Sequence, residues 1–314
     1  MALLLDLKSE LVNYFSKVDS NFLVDSNFLL ENYINPLTPA PSTYKETDEN
    51  QQKRQLRHEV TELLERYINL SKRRFAFQGS KKVFRSQEIC QKLNDGTLSK
   101  EICNTIAKIK YELEKGDDVH ARLSTLIENL NFDDKLLNDW NIYHFHLSDI
   151  DNIKSGFKKR TGELLFVYMP FHSDSVYFLD VSPTHMFCRL DLLDLINKNW
   201  PDLLNDFKIN GISNPKGIAK SDNEYSALRK SNSNSIIYLP STNEFIIAPG
   251  LGLTFGGTSI ANQESAIRII KRITELDRKF FQNTSVQLLL KDNYIIVENP
   301  QENVKEEINI YYCD

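Results

Sequence analysis

The first third of the chain has the hydrophobic pattern of amphipathic helices. Apolar residues recur every three or four positions over residues 1–35 and again over residues 53–131. Between these two stretches lie three prolines followed by a polar run, a composition that predicts a loop or linker over residues 35–52. We therefore predict a mainly helical N-terminal domain over residues 1–135.

The second half changes to short apolar runs that are typical of β-strands. I-Y-H-F-H-L, E-L-L-F-V-Y-M and S-V-Y-F-L-D-V predict consecutive central strands, and V-Q-L-L-L-K and Y-I-I-V-E-N predict two strands near the end. An amphipathic helix is predicted over about residues 263–281. These elements predict an α+β fold, in which residues 136–314 form a domain with helices and one mixed or antiparallel sheet of central and C-terminal strands.

Composition and charge narrow the classes of protein that fit. The net charge of -5 over 314 residues gives no overall basic field, so contact with nucleic acid requires a local patch. The four cysteines are scattered and form no CxxC pair, which favours reduced thiols over a disulfide framework or a zinc ribbon. No apolar run reaches the roughly 18 residues of a membrane span. We expect a soluble cytoplasmic protein without membrane contact.

A local basic patch occurs between residues 53 and 85, where ten lysines and arginines stand against three glutamates. Its second half interleaves cations with aromatic residues, a combination that can follow phosphates and stack on bases. The alternative is a solvated helix end whose phenylalanines pack inward. The candidate nucleic-acid-binding residues are Lys72, Arg73, Arg74, Phe75, Phe77, Lys81, Lys82 and Arg85.

Histidines are concentrated in the central strands. The alternation of strand side chains places His144 and His146 on the same face of Y-H-F-H-L. His185 follows the strand S-V-Y-F-L-D-V, while Lys159 and Arg160 precede the strand E-L-L-F-V-Y. Three interpretations stay open for the histidine pair: acid–base catalysis, metal binding, or a structural role in which the rings bond to the backbone.

The order of R-T-G-E-L-L-F-V-Y, a polar turn, S-V-Y-F-L-D-V and a histidine resembles the RelE/BrnT class of bacterial RNase toxins. The resemblance covers residues 140–200, and residues 235–314 form the strand–helix–strand remainder of the domain. By position, Arg160 matches the arginine at the strand entry of that family, and His185 matches the polar residue after the second hairpin strand.

The resemblance implies metal-independent RNA cleavage without a cofactor. His144 or His146 would take the 2′-hydroxyl proton, Arg160 and Lys159 would stabilise the phosphorane, and His185 would protonate the leaving oxygen. A toxin or phage-defence protein of this kind would have RNA, an antitoxin or defence-complex protein, and further copies of itself as partners.

Two alternative functions stay open beside the ribonuclease. One is a non-catalytic nucleic-acid-binding or scaffolding component of a defence complex, which would use the basic-aromatic residues. The other is a metal-dependent hydrolase built on the three histidines.

Four glycines in residues 250–257 precede the predicted last helix. Such a turn can present backbone N–H groups to a phosphate, or it can simply make a tight connection between strand and helix. The acidic residues near turns, among them Asp133 and Asp134, are interpreted as helix caps and surface charge.

Overall fold

A computed structural model describes residues 2–18, 48–152, 156–160, 162–170, 173–183, 187–211, 215, 218–219, 221–280, 286–291, 293–300 and 303–310. The helices are α1 (Ala2–Val18), α2 (Asp48–Phe75), α3 (Gln87–Asn94), α4 (Lys100–Lys115), α5 (Lys135–Trp140), α6 (Asp191–Asn199), α7 (Asp222–Lys230) and α8 (Ile260–Phe280). The strands are β1 (Lys82–Arg85), β2 (Ile142–His146), β3 (Asp151–Asn152), β4 (Phe157–Lys158), β5 (Leu164–Tyr168), β6 (Ser175–Ser182), β7 (Ile237–Leu239), β8 (Glu244–Ile246), β9 (Gln287–Lys291), β10 (Tyr294–Asn299) and β11 (Val304–Asn309).

This order of helices and strands confirms the predicted α+β class. The chain forms two compact units: a terminal unit, made of residues 1–71 and 262–314, and a central unit, made of residues 72–261. This division differs from the predicted boundary at residue 135, because the N-terminal helix α1 packs against the C-terminal strand β9.

The terminal unit is built on a three-stranded antiparallel sheet in the order β11-β10-β9. Helix α1 buries one stripe of side chains, namely Leu3, Leu4, Leu7, Leu11 and Phe15. The start of α1 is bound to α8, because the Leu3 N–H donates to Asp277 Oδ1 at 3.1 Å. Lys8 and Glu59 then join α1 to α2 through an ion pair of 2.6 Å. Helices α1, α2 and α8 are thus tied together within this unit.

The central unit contains a four-stranded sheet in the order β1-β6-β5-β2. Strand β1 runs parallel to β6, while the other pairs are antiparallel. Each face of the sheet carries its own core: Tyr143 and Phe145 pack on one face with Ile109 of α4. Ile142 and Phe166 pack on the other face with helix α6. Alternate residues of β2 therefore lie in different surroundings.

The predicted single sheet of central and C-terminal strands is wrong. The C-terminal strands β9, β10 and β11 form a separate sheet, and the edge of the central sheet is filled by β1 from within the predicted helical domain. Hydrogen bonds explain this placement, because Lys82 N donates to Asp174 O at 2.7 Å and Ser86 N donates to Phe178 O at 3.0 Å. No helix within the described ranges is long and apolar enough to cross a lipid bilayer.

Candidate functional site

The two central histidines lie inside the sheet rather than at its surface. His144 is 8% exposed and His146 is 3% exposed, and their ring centroids are 5.9 Å apart. The register pairs His144 with Phe166, and Phe166 with Asp180 on the next strand, so these three residues form a row across one sheet face. The ring of Phe187 covers His144 at a centroid distance of 5.0 Å.

Asp180, at the end of this row, is 4% exposed and holds two cations. Lys92 Nζ lies 2.6 Å from one carboxylate oxygen, and Arg189 Nη2 lies 2.9 Å from the other. The Arg189 guanidinium also lies over the ring of Phe166, 5.9 Å from its centroid. The charges beside the histidine row are thus joined in a structural ion-pair network.

The predicted phosphate-stabilising cations lie elsewhere. Arg160 Nη2 donates to Thr125 Oγ1 at 2.6 Å. Thr125 belongs to the 3-10 helix Thr125–Glu128, whose Ile127 packs in the same core as Phe145, on the sheet face opposite to the histidine row. The side chain of Lys159 is exposed. Arg160 and the histidine pair are therefore not brought together.

His185, the predicted general acid, lies outside the described residues. Within the described ranges, no group of three or more histidine, cysteine, aspartate and glutamate side chains could hold a metal ion.

The predicted nucleic-acid-binding residues divide between interior and surface. Lys72 and Arg73 are 7% and 1% exposed, which removes them from any surface. Arg73 Nη1 donates to the carbonyl groups of Leu126 and Asn129, at 3.1 and 3.0 Å. Its neighbour Arg74 pairs with Glu128. Cations at the end of α2 thus hold the loop after α4 in place.

The remaining residues of this segment also have separate surroundings. The ring of Phe77 packs edge-on against Tyr143 at 4.8 Å and belongs to the core. Lys81 Nζ lies 3.3 Å from Asp174. The side chains of Lys82 and Arg85 are exposed on β1. The eight residues therefore do not form one continuous surface.

A cavity of about 440 Å³ opens in the central unit where the end of α2 approaches the end of α4. It is lined by Arg74, Phe75, Phe77, Gln78, Gly79, Gly116, Asp117, Asp118, Val119, His120 and Leu123, and we call it the central cavity. The Nε2 atom of the lining residue His120 lies 2.7 Å from Glu128 Oε1. Hydrogen bonds from His120 and Arg74 lower the pKa of Glu128 to about 2, against the opposing effect of its burial.

A groove of about 430 Å³ lies between α2 and α8 in the terminal unit. It is lined by Arg57, Thr61, Ile267, Ile270, Lys271, Thr274, Glu275 and Arg278, and we call it the basic groove. Arg57, Lys271 and Arg278 are exposed, and none of them makes an ion pair within the part of the chain that the structure describes. Glu275 Oε2 lies 3.7 Å from Nη1 of Arg272, a cation that does not line the groove, and this contact balances the negative charge of Glu275.

No match is found when the chain is compared with protein-family models, curated proteins and solved structures. The choice among the histidine row, the central cavity and the basic groove therefore depends on their geometry alone. The sequence patterns missed His120 and Glu128, because the seven residues between them follow no motif. They also missed that Arg57 and Lys271 line one groove, because this requires α2 and α8 to be neighbours.

The buried lysine at the end of α2 gives a prediction about stability and pH. Burial lowers the pKa of Lys72 to about 7, whereas an unfolded lysine titrates near 10.4. Between pH 7 and about 10.4 the unfolded chain binds more protons than the folded chain. The free energy of unfolding should therefore increase as the pH rises through this range. Lys72→Met should remove this slope and stabilise the protein by about 1–2 kcal/mol at pH 7.

Denaturant unfolding of both proteins between pH 7 and 10 measures this effect. The exposed Lys82 provides the control, since Lys82→Met should leave the slope unchanged. A Lys72→Met variant that keeps the slope and loses stability would contradict the assignment of a costly buried charge.

Proposed function

We propose that this protein binds RNA or another nucleic acid, without cleaving it, through the basic groove. The observation that carries the proposal is the convergence of Arg57 from α2 with Lys271 and Arg278 from α8 on one groove, with no ion pair among the described residues. Cations that already pair with carboxylates lose those partners on binding a phosphate. The groove cations do not have that cost.

The spacing of residues along α8 supports a continuous binding surface. Ile267, Lys271, Thr274 and Arg278 follow one another at intervals of three or four residues, so they share one face of α8. Ile267 is 55% exposed and gives this face an apolar part that a sugar or base can cover. The lining includes aliphatic but no aromatic side chains among the described residues, which favours backbone contacts over base stacking.

The ribonuclease interpretation has less support from the geometry. Proton transfer requires a base within hydrogen-bond reach of its substrate, about 2.6–3.2 Å. His144 and His146 are buried, and Arg160 bonds to Thr125 on the other side of the sheet. A cytoplasmic toxin or phage-defence role stays an expectation from the resemblance, compatible with a protein that binds RNA.

The experiment removes the three groove cations together. In Arg57→Gln/Lys271→Gln/Arg278→Gln, we expect the affinity for a fluorescently labelled single-stranded RNA to fall at least roughly tenfold at low salt. Fluorescence anisotropy measures the affinity, and circular dichroism verifies that the helices remain.

A matched control changes the same total charge elsewhere. Lys100, Lys230 and Lys291 are exposed lysines on α4, α7 and β9. Their triple glutamine variant should keep most of the affinity. An equal loss in both triple variants would mean that net charge, and not the groove, determines binding.

A further inference from the structure

Two backbone segments approach each other closely beside the central cavity. Gly116 ends α4 with φ of +83°, and its N–H donates to Glu112 O and Leu113 O. A Cβ atom at Gly116 would lie 2.9 Å from Ser80 N, so the two segments meet only because this residue is glycine. The volume of the cavity falls within the range of small-molecule sites, about 300–1,000 Å³.

Most ionic groups around the cavity are paired with a group of opposite charge, and the exposed carboxylate of Asp118 is the exception among the described residues. Arg74 and His120 both contact Glu128, and Asp117 lies 3.7 Å from Lys115. The carboxylate of Asp118 is thus available to accept N–H groups from a ligand. Such a lining suits a neutral ring that has both hydrogen-bond donors and acceptors along one edge.

Two kinds of lining side chain define the shape and the polar edge of that ligand. Phe75 and Phe77 both line the cavity, and the half-buried Phe75 gives it an aromatic surface against which a flat ring can pack. Asp118 is exposed and uses Oδ1 to accept the His120 N–H at 2.8 Å, which leaves further lone pairs on its carboxylate. Gln78 adds an amide that both donates and accepts.

We propose that the central cavity binds an unpaired guanine base. The adjacent N1–H and 2-amino groups of guanine donate to the two oxygens of one carboxylate, which the structure provides in Asp118. Its O6 atom accepts from a donor such as the Gln78 amide. Adenine lacks the two adjacent donors on that edge. This inference does not depend on RNA binding at the basic groove.

Isothermal titration calorimetry of the full chain tests the proposal with GMP, AMP and IMP, the last of which lacks the 2-amino group. We expect GMP to bind at least roughly tenfold more tightly than AMP, with IMP between them. Asp118→Asn should weaken GMP binding at least roughly tenfold, because an amide cannot accept both N–H groups. Equal affinities for GMP and AMP, or an unchanged Asp118→Asn variant, would overturn the proposal.

Asp95→Asn is the matched control. Asp95 is an exposed aspartate that accepts the Thr97 N–H at 2.9 Å, as Asp118 accepts that of His120, but it lies after α3 and away from the cavity lining. This variant should bind GMP like the wild type. A similar loss in Asp95→Asn would show that the effect comes from altered charge or folding, and would overturn the assignment to the cavity.

Guanine can come from a free nucleotide or from an RNA strand. Binding measurements with oligonucleotides distinguish these two sources. If the source is a strand, an RNA with one guanine binds more tightly than a uridine-only RNA, and Asp118→Asn removes the difference. If the source is the free nucleotide, GMP binds and the two RNAs bind alike. The uridine-only RNA contains no guanine, so its affinity tests the basic groove alone. A failure of the groove proposal and a failure of the guanine proposal therefore give different results.

Discussion

Replacing Asp139 with alanine is expected to lower the free energy of unfolding by about 3–5 kcal/mol. Asp139 lies in the last turn of α5 and is 3% exposed, and its Oδ2 atom lies 3.0 Å from both Nε and Nη2 of Arg229. Arg229 is itself buried, with its guanidinium 4.2 Å from the ring centroid of Trp140. Removing the carboxylate leaves that charge in a low-dielectric interior without its ion-pair partner.

The loss of stability in Asp139→Ala arises from the unpaired Arg229 charge rather than from the loss of a strong attraction. Burial raises the pKa of Asp139, although Arg229 acts to lower it, so desolvation outweighs the attraction. A double variant, Asp139→Leu/Arg229→Met, should therefore be more stable than Asp139→Ala. Urea unfolding of the single and double variants measures both effects.

The exposed pair of Lys110 and Glu114 on α4 is the matched control for this experiment. Glu114→Ala should cost only about 0.3–0.5 kcal/mol, because water screens and replaces the interaction. If Asp139→Ala costs no more than Glu114→Ala, the ion pair at Asp139 is not buried as described.

Gly250→Ala is the second large effect, with an expected loss of about 3 kcal/mol. A Cβ atom at Gly250 would lie 2.2 Å from Asn138 O and 2.7 Å from Asp139 O. Both are backbone atoms at the end of α5, and Gly250 N donates to Asp139 O at 2.8 Å, so neither segment can move without breaking this contact.

Gly256 provides the control in the same glycine-rich segment. A Cβ atom there would meet its nearest neighbour, Thr254 Oγ1, at 3.7 Å, an ordinary contact distance. Gly256→Ala should therefore change the stability by less than about 0.5 kcal/mol in urea unfolding. Equal losses at both glycines would contradict the close approach at Gly250.

Local patterns predicted the elements that bury one face. Helix α8 was expected over about residues 263–281 and spans Ile260–Phe280, because its isoleucines repeat with the helical period. Strands β2, β5 and β6 also lie where their apolar runs predicted them. Asp134 caps α5, as expected of an acidic residue before a helix, by accepting from the N–H groups of Leu136 and Leu137.

Strands β1 and β11 are among those that the sequence patterns missed, and the physical reasons differ. The segment K-V-F-R is short and basic, so its sequence pattern is typical of a surface segment. It forms strand β1 because it pairs with β6. Strand β11 carries three charged residues in succession, Lys305, Glu306 and Glu307, as an edge strand facing water can. The grouping of strands into sheets depends on contacts between distant segments, which periodicity does not specify.

The candidate sites show the same limit. The alternation of β2 correctly placed His144 and His146 on one face, but it could not tell that this face is covered by Phe187. Charge counting identified residues 53–85 as basic, but it could not separate the buried Arg73 from the exposed Arg57. The distinction depends on which side of α2 faces the interior.

The salt dependence of RNA binding tests the central claim most directly. The observed binding constant for a uridine-only RNA is measured by anisotropy over a range of salt concentrations, for the wild type and for Arg57→Gln/Lys271→Gln/Arg278→Gln. Three phosphate contacts at roughly 0.7 per contact predict a log–log slope of about −2 for the wild type, and a slope near zero for the variant. Equal slopes in the two proteins, or a wild type that does not bind, would contradict the assignment of RNA binding to the basic groove.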